Sequence, residues 1–140
     1  MILLDTNVIS EPYRSHPDSA VRKWLNTQVQ RDLFLCTPVL AELHYGVELL
    51  PPGTRRKRLA EWVRYVEEEE FPDRILAFDR SAAREFARVA TIQRRRGRAG
   101  GQMDVLIAAI ALSHGAVLAT RNVIHFADLG LDLINPFNAS

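Results

Sequence analysis

The sequence contains a single cysteine, Cys36, among its 140 residues. One cysteine excludes an intrachain disulfide framework and a metal site built from cysteine thiolates. Cys36 lies in the apolar stretch LFLC, which favours the role of a small, buried hydrophobic side chain. Candidate functional residues must therefore come from other residue types.

Long hydrophobic segments are also lacking. The longest apolar run, VLIAAIAL at 105–112, is far too short to cross a bilayer. The N-terminus has no basic lead before a long apolar segment, so the sequence predicts no secretory signal. We therefore expect a cytoplasmic protein with no membrane association.

Neither sign of charge is in excess, because 18 Lys and Arg residues face 17 Asp and Glu residues, for a net charge of +1. Nothing in the overall charge points to nucleic acid or to a membrane surface. Lysine is scarce and occurs only at Lys23 and Lys57. Arginine suits bidentate contacts with carboxylates and phosphates, although a GC-rich genome explains the same bias.

The length and the 47% hydrophobic fraction suit one globular domain over 1–140. Apolar strand-like segments alternate with helical patterns, which predicts an α/β fold with a mainly parallel sheet of four or five strands flanked by helices. Thr37 and Pro38 predict a helix start with a hydroxyl cap. The predicted strands cover 1–4, 33–36, 74–78, 116–120 and 131–137, and the main predicted helices cover about 20–29, 37–50, 54–69, 83–96 and 102–114.

Polar residues follow the predicted strands, at the edge where an open parallel sheet binds its ligands. Asp5 comes directly after the first strand, and Glu42 lies about one helical turn beyond the second. Thr120 and Asn122 follow the fourth strand, and Asp104 heads the apolar helix that leads into that strand. The sequence therefore predicts that Asp5, Glu42 and Asp104 converge at one end of the sheet.

Each acid also has a structural explanation. Asp5 can cap a helix that begins directly after it, and Asp104 suits the positive end of a helix dipole. Asp79, which follows the third strand, has the best capping geometry and is assigned to that role. Glu42 lies two residues too late for a capping box, although a solvated surface position remains open.

The three converging carboxylates would repel one another unless protons or cations neutralised them. No lysine lies near any of them in the sequence. A hard divalent cation, Mg²⁺ or Mn²⁺, takes oxygen ligands and retains several of its waters. Water on such an ion is acidified and can attack a phosphodiester, so the acids predict metal-assisted hydrolysis.

Several sequence blocks also resemble one known family. They are LLDTNVIS near the N-terminus, TPVLAELHYGV at 37–47, GQMDVLIAAIALSHGAVLATRN at 101–122, and HF shortly afterwards. In this order and spacing they resemble PIN-domain ribonucleases, and the closest type is the VapC/FitB toxin of bacterial toxin–antitoxin pairs. The resemblance implies a PIN fold and a Mg²⁺- or Mn²⁺-dependent endoribonuclease that acts on RNA. It also implies a VapB/FitA-like antitoxin and a homodimer, or a heterotetramer or octamer with that antitoxin.

The resemblance also implies roles for individual residues. Asp5, Glu42 and Asp104 match the metal site of the family, with Glu42 either a ligand or a general base. Thr6 matches a hydroxyl that orients the first acid or a water. The fourth acidic position of the family is Asn122 here, which the resemblance makes a catalytic residue. Its amide carbonyl can bind a metal or orient a water, but it brings no charge, which leaves a second tightly held metal in doubt and a one-metal mechanism open.

Arginines near the acidic pocket are the expected contacts to the RNA backbone. Arg121 adjoins Asn122, and the basic stretch RRRGR at 94–98 contributes Arg96 and Arg98. A solvated helix end explains the same stretch, because basic side chains suit the C-terminal end of a helix.

Two other groups of side chains carry weaker signals. His44, His114 and His125 lack the spacing of a metal site and are interpreted as structural. Apolar and aromatic side chains among the first four helices suit a groove for a partner helix, and core packing explains them equally well. The members of this group are Trp24, Tyr45, Leu49 and Trp62.

Other protein classes that gather acids at strand ends fit less well. A haloacid-dehalogenase-type phosphatase needs a second Asp where Asn7 stands, and a receiver domain needs a late lysine, whereas none follows Lys57. A PIN-like module that no longer cuts, and that binds nucleic acid or regulates, remains the open alternative. Asn122 favours this alternative, whereas uncompensated acids facing phosphate would weaken RNA binding.

Overall fold

A parallel sheet forms the centre of the protein in a computed structural model that describes residues 1–97 and 101–138. Its strands in chain order are β1 (Ile2–Leu4), β2 (Leu33–Cys36), β3 (Ile75–Leu76), β4 (Val117–Ala119) and β5 (Leu133–Ile134). All neighbouring strands pair in parallel, in the spatial order β3-β2-β1-β4-β5. The predicted fold class, a parallel α/β sheet flanked by helices, is confirmed.

Helices connect the strands and cover the sheet. Those that the structure describes are α1 (Thr6–Ser10), α2 (Ser19–Thr27), α3 (Thr37–Leu49), α4 (Thr54–Tyr65), α5 (Arg80–Arg96) and α6 (Gln102–His114). A π-helical turn over Val66–Glu70 continues α4, and α5 packs along α6. Within the described ranges, no helix is both long enough and apolar enough to cross a membrane.

Strands β1 and β4, which pair near the middle of the sheet, are apolar on both faces because helices cover both sides of a parallel sheet. Leu3 pairs with Leu118 and Leu4 with Ala119 in the register of β1 and β4, and all four side chains are fully buried. Burial of each leucine contributes roughly 1.5–3 kcal/mol. The residue after β1 is therefore attached to the most firmly packed part of the molecule.

Cys36 ends β2 inside the core, with no exposed surface. This burial raises the pKa of its thiol to about 12. The expectation of a buried, hydrophobic role is confirmed. The prediction that Thr37 caps α3 is wrong, because Cys36 occupies the cap position and its side chain makes no capping hydrogen bond. β2 runs into α3 without an intervening residue, so Thr37 is already helical.

The edge strands are shorter than predicted, since β3 and β5 cover two residues each. Each pairs with one neighbour only, so half of its backbone groups need other partners. Pro136, which lacks a backbone N–H, opens a short 3₁₀ turn after β5. The predicted capping role of Asp79 is confirmed, because its Oδ1 accepts a hydrogen bond from the Ala82 backbone N–H at 3.0 Å.

Candidate active site

Asp5 occupies the carboxyl end of β1 and is only 4% exposed. Its backbone N–H donates to the Ala119 carbonyl at 2.9 Å, which ties it to the end of β4. Its Oδ2 accepts hydrogen bonds from the Thr120 hydroxyl at 2.7 Å and from the Asn7 amide at 3.3 Å. Its Oδ1 accepts from the Thr6 backbone N–H at 2.8 Å, so Asp5 also caps α1.

The electrostatics of Asp5 are unfavourable for a charged side chain. Burial raises the pKa of its carboxyl group, and the charges of Asp104 and Glu42 raise it further. The hydrogen bonds from Thr120 and Thr6 act in the opposite direction and lower the pKa. Net negative charge at this edge therefore favours a cation.

Glu42 lies on α3, whose N-terminus follows β2 directly. Its Oε1 accepts a hydrogen bond from the Thr6 hydroxyl at 2.6 Å. Thr6 thus connects the first two acids, with its backbone N–H on Asp5 and its hydroxyl on Glu42. The resemblance assigned this hydroxyl to the first acid or a water, whereas the structure places it on the second acid.

Asp104 lies in the first turn of α6, and its side chain is 21% exposed. Its Oδ2 is 3.0 Å from Nδ1 of His125, which belongs to the 3₁₀ turn Val123–Phe126 that follows β4. Sequence spacing indicated only a structural role for His125, because the ring and the carboxylate lie on separate elements. The structure brings them into direct contact.

Asn122 precedes this turn and is exposed, and its backbone N–H donates to the Thr120 hydroxyl at 3.0 Å. Asn7 is a site residue that sequence reasoning missed. Its amide contacts Asp5, and its Oδ1 accepts a hydrogen bond from the Arg121 backbone N–H at 3.1 Å. Asn7 therefore joins the ends of β1 and β4, a role that only its place in the LDTN segment could have suggested.

The predicted RNA-binding arginines differ in their surroundings. Arg121 is exposed, and its guanidinium lies 4.8 Å from the centre of the Phe137 ring. Arg96 instead contacts Asp128, with 3.4 Å from Nη1 to the carbonyl and 3.9 Å to the carboxylate. Arg98 lies outside the described residues.

These residues fit a hydrated divalent cation. Within 1–97 and 101–138, no three His, Cys, Asp or Glu side chains form a group close enough to enclose a metal ion. Mg²⁺, however, retains several waters and needs only one or two protein carboxylates beside the substrate. The charges of Glu42 and Asp104 both act on Asp5, and the acids provide only oxygen donors.

The fold and the acidic edge of the sheet define an α/β protein with a candidate cation-binding centre. A family model described as PIN domain matches residues 2–130. The chain belongs to the PIN-domain family, and the resemblance carried by the sequence blocks is confirmed.

Individual relatives match over nearly their whole length. Plasmid stability protein StbB of Pseudomonas syringae is 41% identical over 139 residues, which cover 99% of this chain and 100% of that protein. VapC ribonuclease Y4jK of Sinorhizobium fredii is 39% identical over 140 residues, with 98% of each chain covered. A solved structure of FitAB bound to a DNA fragment contains a chain with a TM-score of 0.92 and 35% identity, and the match covers 100% of this chain and 98% of that one.

Proposed function

We propose that this protein is a metal-dependent endoribonuclease and the toxin of a toxin–antitoxin pair. The observation that carries the proposal is Asp5, a buried carboxylate at the carboxyl end of β1 that Thr6 connects to a second acid, Glu42. Such an arrangement is unfavourable in a binding module and useful for a cation that faces phosphate. The similarity to VapC ribonuclease Y4jK supports the same reaction class.

Asp5, Glu42 and Asp104 would hold Mg²⁺ or Mn²⁺. When bound, the cation supplies an acidified water and charge stabilisation at the scissile phosphate. The neighbouring polar side chains orient the ligands before substrate arrives. Thr120 and Asn7 fix one oxygen of Asp5, while Thr6 fixes Oε1 of Glu42. We assign Oε2 of Glu42 to the ion or to the proton of the attacking water.

Arg121 is the residue that we assign to the RNA backbone. It is exposed and follows Thr120, whose hydroxyl contacts the buried acid. The Phe137 ring restrains the guanidinium through a cation–π contact, worth about 0.5–1 kcal/mol at an exposed site. A restrained arginine loses less freedom when it binds a phosphate. Arg96 is a weaker candidate because its guanidinium already contacts Asp128.

We also propose a cognate VapB/FitA-like antitoxin as the protein partner. A groove of about 930 Å³ lies on the surface formed by Tyr13, Gly46, Leu50 and Leu59, with Arg14, Arg55 and Arg58 among its other lining residues. Tyr13 stacks on Trp62 at 4.8 Å between ring centres. Tyr45 and Leu49 are 64% and 65% exposed, whereas Trp24 and Trp62 pack partly against the core. Exposed apolar side chains of this kind suit an amphipathic partner segment.

A second function rests on Asn122. This exposed amide stands where the family resemblance implies a fourth acid, and it adds no charge to the site. The alternative is a catalytically inactive PIN-like module that binds nucleic acid or acts as a regulatory partner.

The deciding experiment incubates partner-free protein with a panel of structured and single-stranded RNAs, in Mg²⁺, in Mn²⁺ and in EDTA. Asp104→Asn is prepared identically, and Asp73→Asn serves as a control at an exposed acid elsewhere. We expect cleavage that requires metal, persists in Asp73→Asn and disappears in Asp104→Asn. Equal cleavage by Asp104→Asn would indicate a contaminating ribonuclease or a wrong site. Metal-dependent RNA binding without cleavage would favour the non-cutting module.

A further inference from the structure

His125 contacts the candidate active site but has no part in the hydrolysis proposed above. Its Nδ1 lies 3.0 Å from Oδ2 of Asp104, and its side chain is 34% exposed. An ionised carboxylate offers only acceptors, so the ring nitrogen in this contact carries the proton and donates. The hydrogen bond engages Oδ2 and leaves Oδ1 of Asp104 for another partner.

The turn that carries His125 is itself held from several directions. The Gln93 side-chain amide on α5 donates to the His125 carbonyl at 2.8 Å. The His125 backbone N–H donates to the Asn122 carbonyl at 3.0 Å. The next residue, Phe126, is 1% exposed and packs into the core. The backbone that carries the imidazole is therefore anchored to the rest of the protein, and the ring reaches Asp104 from a fixed turn.

Asp104 needs such support more than Asp5 does. Asp5 accepts hydrogen bonds from Thr6, Asn7 and Thr120. Asp104 lies in the first turn of α6, whose cap residue, Gly101, has no side chain with which to cap the helix. A partly exposed carboxylate on a helix end moves between rotamers unless a neighbour fixes it. In the described structure, His125 is the side chain hydrogen-bonded to it.

We propose that His125 is a positioning residue that holds Oδ2 of Asp104 and presents Oδ1 to the divalent cation. The inference rests on the proposed metal-dependent function and extends it to a residue outside the acidic set. Groups that orient metal ligands typically change metal affinity by 10- to 100-fold when removed.

The test measures Mn²⁺ affinity directly, by calorimetry or by electron paramagnetic resonance, on the purified full-length chain without RNA. His125→Ala removes the donor. His125→Asn places an amide N–H near the position of Nδ1, whereas His125→Gln places it nearer Nε2. We expect about 10-fold weaker Mn²⁺ binding for Ala and Gln, and substantial recovery for Asn. A structural role for the ring would not distinguish Asn from Gln in this way.

Two further variants complete the comparison. His114→Ala removes an exposed histidine from the last turn of the same helix α6 and is expected to bind Mn²⁺ like the wild type. Gln93→Met removes the amide that holds the His125 carbonyl. We expect it to weaken Mn²⁺ binding less than His125→Ala does. Thermal unfolding of every variant in EDTA separates a loss of metal affinity from a loss of fold.

Each outcome decides the proposal. Unchanged Mn²⁺ affinity in a folded His125→Ala variant would overturn it, and so would equal losses in the folded Ala and Asn variants. If the wild type binds Mn²⁺ but cuts no RNA, the proposed ribonuclease function fails while the affinities still decide the role of His125. If the wild type binds no Mn²⁺, both proposals fail together. Should His125→Ala unfold, the contrast between Asn and Gln decides.

Discussion

Replacement of Thr120 by valine would remove one hydroxyl from the candidate active site while nearly preserving the shape of the side chain. Thr120 has no exposed surface, and its hydroxyl donates to Oδ2 of Asp5 at 2.7 Å. A hydrogen bond to a charged group contributes about 1.5–3 kcal/mol to the free energy of folding. The same hydroxyl accepts from the Asn122 backbone N–H, but Asn122 is exposed and water can replace that bond.

We therefore expect Thr120→Val to lower the free energy of unfolding by about 1.5–3 kcal/mol at pH 7. Urea denaturation in EDTA would measure this loss without interference from bound metal. Thr120→Ser is the matched control, because it keeps the hydroxyl and loses about one methyl group, worth roughly 0.8 kcal/mol.

The pH dependence of this loss has a defined sign. The bond from Thr120 favours the charged form of Asp5 and lowers its pKa, against the larger effect of burial, which raises it. The stability difference between wild type and Thr120→Val should therefore be greatest at neutral pH. It should shrink as the pH falls through the pKa of Asp5. A valine variant within about 0.5 kcal/mol of the wild type at pH 7, or a difference that grows in acid, would refute this reasoning.

Three further substitutions give testable outcomes. Because burial raises the pKa of Asp5 in the folded state, the stability linked to its protonation is present at low pH and is lost as the pH rises through that pKa. Asp5→Asn should therefore unfold at a higher urea concentration than the wild type at pH 7 in EDTA, with no such gain in acid, and a variant less stable at pH 7 would contradict this. Arg121→Ala, placed in the Asp104→Asn background, should weaken RNA binding in fluorescence anisotropy, more at low salt than at high salt because salt screens phosphate contacts. Phe137→Leu should weaken RNA binding less than Arg121→Ala does. If the loss of RNA binding in Arg121→Ala does not depend on salt, Arg121 has a structural role instead.

The central strands of the fold could be predicted because their apolar sequence pattern matches the burial that a parallel sheet requires. The apolar segments of β1, β2 and β4 are short, continuous and mostly buried, as a parallel sheet requires. Once those strands are parallel, the residues that follow them share one edge of the sheet. This rule alone places Asp5 beside Thr120, as observed.

The contacts around the acids could not be predicted in the same way. His125 and Asp104 are 21 positions apart on two different elements, and only the path of the turn after β4 brings them together. Asn7 lies in α1, and this helix begins directly after Asp5. The Asn7 side chain can therefore accept a hydrogen bond from the Arg121 backbone N–H beyond the end of β4. Neither contact produces a periodic pattern or a characteristic residue spacing that could be recognised in the sequence.

The predicted roles of Thr37 and Arg96 differ from the observed ones because neighbouring residues determine the contacts of each side chain. Thr37 has the chemistry of a helix cap, but the helix begins one residue earlier, at the end of a buried strand. Arg96 has the charge to bind RNA, but a nearby acid, Asp128, contacts its guanidinium. In both cases the residue type indicates what a side chain can do, and its neighbours decide what it does.

The burial of Cys36 gives the protein a practical chemical property. With a pKa of about 12 and no exposed surface, its thiol forms almost no thiolate at neutral pH and is shielded from reagents. A cysteine introduced at the exposed position Glu61 on α4 would therefore react with a maleimide dye ahead of Cys36. A single fluorophore on α4, the helix that contributes Arg55, Arg58 and Leu59 to the groove, could then report the arrival of a partner, with the native cysteine left in place.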